Sequence, residues 1–254
     1  HIHTAKGTVL GVLGKKPIHL MAPAERRKTP EKHDLWIDIG VADGEEAKKL
    51  VAIGDPVTYE PNYEELRNGL AVSRGFDNKA GAWVVAEALR RVSRAKKKCK
   101  ASVYSVATVQ EEVGLRGAKT STYGVDPLVG IAVDVTWAMD HPSVDKRQVG
   151  ECKLGGGPVI TRGANVNPLV FERLLQVAKR KKIPHQIQAE PGGTGTDANA
   201  IQLSRAGVAT GLLSVPQRYM HTPVEIVALE DLEHTAKLLA EFTLTIDDKT
   251  SFIP

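Results

Sequence analysis

The feature that most constrains this fold is an apolar, β-rich run, residues 103–109, which is followed almost at once by two adjacent carboxylates, Glu111 and Glu112. Valine-rich runs of this length, flanked by helical patterns, are typical of buried strands in sheets that are covered on both faces. Ligands of such sheets bind beyond the carboxyl ends of the strands. The run therefore predicts a buried strand that delivers Glu111 and Glu112 to a site. An exposed acidic loop is the alternative.

Three more side chains lie at or just beyond the ends of predicted strands: Asp77, Asp134 and His221. Asp77 stands at a strand-to-helix junction, where an N-cap is the simpler explanation. Asp134 lies inside an apolar strand, and burying it is costly unless it is paired or bound to a cation. We expect Asp77, Glu112, Asp134 and His221 to converge, although they are far apart in the sequence.

The convergence of carboxylates with an imidazole indicates a metal site. Oxygen and nitrogen ligands without thiolate suit zinc, cobalt or manganese in a catalytic site. One bridging carboxylate could hold two ions roughly 3.5–4 Å apart, the arrangement that aminopeptidases use for hydrolysis. Adjacent residues of an extended segment point to different sides. Glu112 can therefore hold metal while Glu111 acts as general base on a metal-activated water.

The pattern of the chain changes near residue 66. Residues 1–66 alternate short β-like runs with Gly, Pro and charged turns, which predicts a small β-rich module. From residue 67 to residue 254, strand and helix patterns alternate, as in α/β domains. We therefore expect two domains, 1–66 and 67–254.

Composition excludes several classes of protein. With 42% hydrophobic and 25% charged residues, the chain is that of an ordinary globular protein. We expect no membrane span, because no apolar run approaches roughly 20 residues, and no nucleic-acid partner, because the net charge of +4 is mild. Two cysteines are too few for a disulfide framework. Since no signal peptide is recognised either, a cytoplasmic location is predicted.

Five motifs resemble metallopeptidase family forty-two in order and in approximate spacing. They are GFDNKAG (75–81), QEEVG (110–114), AVDV (132–135), GTDA (195–198) and YMHTP (219–223). This family comprises glutamyl and deblocking aminopeptidases, includes the tetrahedral (TET) particles, and has some members with endoglucanase names. The resemblance implies a zinc-peptidase-like catalytic domain, a mixed sheet covered by helices. Into it a small β-rich dimerisation domain is inserted, here residues 1–66.

The resemblance also implies roles for the site residues. Asp77 would bridge two divalent ions, Glu112 and His221 would complete one site, Asp134 would belong to the other, and Glu111 would be the general base. The family's remaining His ligand and the Asp that orients it belong to a segment upstream of the insertion, and neither is found among these residues. We therefore expect part of the catalytic domain to lie outside this sequence, and one ion to bind weakly without it.

The predicted function is that of a di-metal aminopeptidase which removes N-terminal residues from peptides. By the resemblance, it would form dimers and, from six of these, a tetrahedral dodecamer. A glycoside hydrolase is the rival enzyme, but its two carboxyls must stand about 5–9.5 Å apart across a sugar, which consecutive Glu111 and Glu112 fit poorly. A non-catalytic assembly subunit is the rival from another class. Asp197 either orients a ligand or caps a helix, and the sequence does not decide between these roles.

Overall fold

The computed structural model describes residues 1–142 and 144–253, and the chain divides into two compact units, His1–Pro61 and Asn62–Pro254. The first unit contains two small antiparallel sheets. One pairs β1 (Ile2–Thr4) with β2 (Gly7–Val9), and the other pairs β3 (Val12–Lys15) with β4 (Leu35–Asp38). A single α-helix follows, α1 (Gly44–Leu50). The side chain of Asp43 caps it by accepting the N–H groups of Glu45 and Glu46, each at 2.9 Å.

The first unit has almost no core of its own. Among residues 1–61, all of which the structure describes, Ile2 alone is buried. Large apolar side chains are exposed instead, among them Ile18, Leu20 and Trp36, which are 59%, 70% and 52% exposed. A module of this size that buries so little apolar surface is marginal by itself.

The second unit is built on one seven-stranded mixed sheet, in the order β5-β6-β11-β10-β8-β9, with β7 paired along β10. The strands are β5 (Glu64–Glu65), β6 (Leu70–Ser73), β7 (Val129–Trp137), β8 (Val159–Gly163), β9 (Gln186–Glu190), β10 (Ala209–Arg218) and β11 (Glu225–Ala228). β7 is parallel to β10 and β8 is parallel to β9, whereas the other pairs are antiparallel. Because β5 pairs with β6, residues 62–66 lie with this unit, and the division falls a few residues before the predicted boundary.

Helices flank this sheet. They are α2 (Phe76–Arg94), α3 (Arg116–Val125), α4 (Lys146–Val149), α5 (Pro168–Arg180), α6 (Ala198–Ile201) and α7 (Leu229–Thr243). α5 shows why they form: Asn167 caps its first turn, Pro168 occupies the first helical position, and apolar residues recur on one face. In the described part of the chain, every helix is too short or too polar to cross a bilayer.

The main core lies where α5 and α7 meet the middle of the sheet. Its fully buried members include Ile160, Leu174, Leu213 and Leu238. A smaller cluster joins the first turns of α2 to the carboxyl-terminal half of β7 and to α7, and includes Val84, Val135 and Val215. This second cluster holds the first turns of α2, which follows β6 in the chain, against the carboxyl-terminal half of β7. The predicted mixed α/β architecture is therefore confirmed, while the insertion of the first unit stays a prediction.

The prediction of a buried strand at residues 103–109 is wrong. No strand is assigned over these residues, and Tyr104, Val106 and Val109 are 67%, 41% and 66% exposed. The backbone of this segment forms no sheet ladder with any described residue. An apolar pattern indicates that a segment tends to form a strand. The strand forms only where another segment pairs with its N–H and C=O groups.

Candidate metal centre

Glu111 and Glu112 lie in a tight turn that precedes α3. Gln110 adopts a left-handed conformation with φ 58°, which turns the chain just before Glu111. The carbonyl of Glu111 then accepts the N–H groups of Gly114 and Leu115, at 3.1 and 2.9 Å. The side chain of Glu111 is half-buried with its Oε1 buried, whereas that of Glu112 is 61% exposed. The two carboxylates therefore differ in surroundings although they are adjacent.

Asp77 lies in the first turn of α2 but is not its N-cap. Its φ and ψ of −81° and 104° are extended, and Gly75 occupies the cap position. Asp77 donates its N–H to Glu225 Oε2 at 3.2 Å, and the neighbouring Asn78 donates Nδ2–H to the carbonyl of Val133 at 2.8 Å. Asn78 thus ties this turn to β7 at the residue before Asp134. The helix-cap explanation of Asp77 is not supported.

Asp134 lies within β7 and is 8% exposed. Its Oδ1 accepts the N–H of Val135 at 2.9 Å, and no described Lys or Arg forms an ion pair with it. The costly burial that the sequence suggested is therefore present, without a cationic partner in the chain.

His221 lies in the turn between β10 and β11, where Tyr219 and His221 both have left-handed φ values of 59° and 61°. Just before this turn, the Arg218 guanidinium donates two hydrogen bonds to Asp140, at 2.7 and 2.8 Å. Asp140 also accepts the N–H of Leu154 at 3.1 Å. Such a bidentate pair is geometrically specific, so it fixes the end of β10 from which His221 projects.

The structure brings three of the predicted ligands together. One ligand atom each of Asp77, Glu112 and His221 lie within 4.8 Å of one another. His221 Nε2 stands 3.1 Å from Asp77 Oδ2 and 3.6 Å from Glu112 Oε1. Asp134 is outside this triplet, but it lines the same cavity, as does Glu111.

This cavity has a volume of about 290 Å³. The rest of its lining consists of Val135, Thr136, Trp137, Thr161, Gln188, Glu190, Thr194, Gly195, Thr196, Leu212, Ser214 and Met220. Thr136 Oγ1 donates to Gln188 Oε1 at 2.8 Å, which joins the strand of Asp134 to β9. The lining therefore combines carboxylates with hydroxyl, amide and apolar side chains.

Three of the carboxyl groups resist ionisation. Burial raises the pKa of Asp134 to about 7. Burial, followed by the charge of Glu112, raises the pKa of Glu111 to about 7 and that of Asp77 to about 6. Carboxylates gathered in one cavity destabilise one another's charged forms unless a cation accompanies them.

A divalent cation fits this donor set. The triplet offers oxygen and nitrogen atoms without thiolate. Among the described residues, Glu111 Oε1 is buried and has no hydrogen-bond partner. The lining contains no Lys or Arg among the residues that the structure describes. The cavity therefore lacks the positive charge that its carboxylates require, and bound metal would supply it.

Several cavity residues were not anticipated from the sequence: Thr136, Thr161, Gln188, Glu190 and Ser214. A weak signal for them exists, because Thr136 follows Asp134 by two positions, and Gln188 and Glu190 are likewise two apart. Residues at this spacing share one face of a strand. Asp197, whose role the sequence left open, accepts the hydroxyl of Thr108 through Oδ2 at 2.6 Å, and it makes no side-chain cap of α6.

Comparison with known proteins assigns this chain to a family. The family model of M42 glutamyl aminopeptidase matches residues 1–238. The chain is 39% identical over 237 residues to the lysyl aminopeptidase of Pyrococcus furiosus, which covers 92% of this chain and 66% of that protein. The chain thus spans slightly less than two thirds of the length of this relative.

Solved structures agree with this assignment. The TET aminopeptidase of a marine sediment archaeon of the Thaumarchaeota superposes with a TM-score of 0.91 at 36% identity, covering 98% of this chain and 70% of that one. The TET1 peptidase of Pyrococcus horikoshii superposes with a TM-score of 0.81 at 32% identity, covering 96% and 71%. By its match over most of its length, this chain belongs to the M42 glutamyl aminopeptidase family.

Proposed function

We propose that this chain forms the metal-dependent catalytic part of an aminopeptidase, which hydrolyses the first peptide bond of a peptide. The observation that carries the proposal is the triplet of Asp77, Glu112 and His221 in one cavity with Glu111. In this proposal Glu112 and His221 would hold one divalent ion, Asp134 would hold a second, and Asp77 would serve both. Zinc, cobalt and manganese suit these donors.

Bound divalent ions would supply Lewis acidity toward the substrate carbonyl and would lower the pKa of a bound water. Glu111 contributes the proton transfer. Its carboxyl group is beside the triplet, its Oε1 has no partner among the described residues, and burial raises its pKa to about 7. A base with a pKa near the working pH takes a proton from water and can return it to the leaving amine.

The test is hydrolysis of aminoacyl-anilides by protein that has been stripped with a chelator and then supplied with zinc, cobalt or manganese. N-acetylated anilides of the same residues are the matched controls. We expect turnover that requires the metal and fails on the acetylated substrates. Equal cleavage of both, or cleavage in excess chelator, would contradict the proposal.

The raised pKa values predict how pH affects the stability of the metal-free protein. The pKa of Asp134 is raised from 3.8 to about 7, and that of Asp77 from 3.8 to about 6. The pKa of Glu111 is raised from 4.5 to about 7. A raised pKa in the folded state stabilises the fold below the unfolded pKa, and this contribution is lost as the pH rises through the folded value. The melting temperature in chelator should therefore fall between pH 5 and pH 8, by at least ~5 °C.

Divalent ions should reverse this loss. They bind deprotonated ligands, so they should raise the melting temperature much more at pH 8 than at pH 5. Asp134→Asn is the control variant, and it should flatten the pH dependence in chelator. A chelated protein whose melting temperature rises toward pH 8 would show that the carboxyl cluster does not act in this way.

We further infer that the protein self-associates through its first unit. The TET1 peptidase of Pyrococcus horikoshii can assemble into a tetrahedron or a large octahedral shell. In this chain, support comes from the exposed apolar side chains of residues 1–61 and from the single buried residue there. A dimer, and a dodecamer built from six dimers, would cover this surface. The cytoplasmic location stays a prediction from the sequence.

A further inference from the structure

The charges that line the cavity are unbalanced even when bound metal is counted. Its described lining contains five carboxylates: Asp77, Glu111, Glu112, Asp134 and Glu190. Two divalent ions would carry four positive charges, which match the four carboxylates at the metal centre. Glu190 remains as one uncompensated negative charge in the described lining.

The fold holds the backbone of Glu190 firmly in the lining of the cavity. Glu190 is the last residue of β9 and pairs with Gly163 of β8. A methyl group at Gly163 would overlap the carbonyl oxygen of Glu190, so the glycine permits the close approach of the two strands there. The same carbonyl accepts the N–H of Ala164 at 3.3 Å. The backbone from which the Glu190 side chain extends is therefore held in place.

Glu190 is half-buried, and its carboxylate accepts only a weak hydrogen bond within the described chain. Its Oε1 accepts the N–H of Gly192 at a long 3.4 Å. Within the described chain it has no Lys, Arg or His partner in an ion pair. Thr136, Thr161 and Gln188 also line the cavity, and their side chains are neutral. A group of this kind is free to interact with a positive charge that enters the cavity with a substrate.

We propose that Glu190 makes this cavity select peptides whose N-terminal residue has a cationic side chain, lysine or arginine. The proposal rests on the proposed aminopeptidase function and names its substrate class. An acidic N-terminal side chain would meet Glu190 with like charge, and no described lining residue is a cation that could receive it. This chain would therefore not prefer glutamyl substrates, despite the description of its family.

The experiment compares the unchanged protein with Glu190→Gln, both loaded with metal. Glu172→Gln, an exposed carboxylate on α5 outside the cavity, is the matched control. The value of kcat/KM is measured for lysyl, norleucyl and glutamyl anilides. Norleucine has the same aliphatic stem as lysine but lacks the ammonium group, so the lysyl-to-norleucyl ratio isolates the charge.

We expect the unchanged protein and Glu172→Gln to favour the lysyl over the norleucyl substrate by at least about tenfold, the effect of one partly screened charge pair. In Glu190→Gln this ratio should fall to near one, because kcat/KM should fall much more for the lysyl than for the norleucyl substrate. An unchanged ratio would overturn the proposal. An equal loss for all substrates would also overturn it, because Glu190 would then bind the α-ammonium group that every substrate shares.

A binding measurement separates this proposal from the proposed function. Calorimetry with L-lysine and L-norleucine tests Glu190 without any turnover. Protein that prefers lysine and loses this preference in Glu190→Gln, yet hydrolyses no anilide, would refute the aminopeptidase function alone. Active protein with equal affinity for the two amino acids and equal turnover of their anilides would refute the role of Glu190 alone.

Discussion

Glu111→Gln should reduce kcat by about 10²–10⁴-fold, the usual contribution of a general base, and should leave the metal content unchanged. Glu112→Gln should instead lose metal. The physical reason is the different placement of the two side chains. Glu112 Oε1 is 3.6 Å from His221 Nε2 within the ligand triplet, whereas Glu111 is outside the triplet with a buried, unpartnered Oε1.

The two variants control each other, because they make the same chemical change at adjacent positions of one turn. Metal content by atomic spectroscopy and turnover at saturating metal are measured for both. For Glu112→Gln we expect metal affinity to fall by more than the roughly 10–100-fold typical of outer-shell losses. Equal loss of metal in the two variants would show that Glu111 is a ligand, and full turnover of Glu111→Gln would show that the base lies elsewhere.

The grouping of the candidate metal ligands was easier to predict from the sequence than the structure of residues 103–109, which precede Glu111 and Glu112. Asp77, Glu112 and His221 were grouped from strand ends and residue chemistry, and the structure places their ligand atoms together. The segment before Glu111 was nevertheless predicted as a buried strand and is exposed and unpaired. Residue types are local properties, but a strand also depends on a partner elsewhere in the chain, which periodicity does not reveal.

Most helices and the long strands were predictable because their patterns are local. The pattern predicts a helix over 44–50 and a strand over 70–73, and α1 and β6 have these bounds. It also predicts strands over 128–135 and 208–215, and the corresponding β7 and β10 end two and three residues later. The pattern predicts a helix from the segment 192–197 through Ser204, but α6 ends at Ile201. The N–H groups of Leu203 and Ser204 bond to carbonyls three residues before them instead of four. β11 was not predicted: it has only four residues, and its antiparallel pairing with β6 and β10 depends on the tertiary fold.

The apolar surface of the first unit yields the second prediction of large effect: the protein should be at least a dimer, and changing this surface should dissociate it. Ile18, Leu20 and Trp36 are more than half exposed in the single chain. Removing each from water is worth about 1.5–3 kcal/mol. In an interface with two-fold symmetry every contact occurs twice, so a charge at one position is introduced on both sides.

Ile18→Asp and Trp36→Asp should therefore weaken association by a hundredfold or more, about 3 kcal/mol, and leave the fold of each chain nearly unchanged. The fold should survive because neither side chain is buried within its own chain. Leu128→Asp is the matched control, since Leu128 is 91% exposed but lies outside residues 1–61. Light scattering at micromolar concentration gives the mass, and circular dichroism shows whether the variants stay folded. The interface would be refuted if the unchanged protein were a monomer, or if the variants assembled as the unchanged protein does. A stable dimer that the variants dissociate would support the interface and argue against the dodecamer.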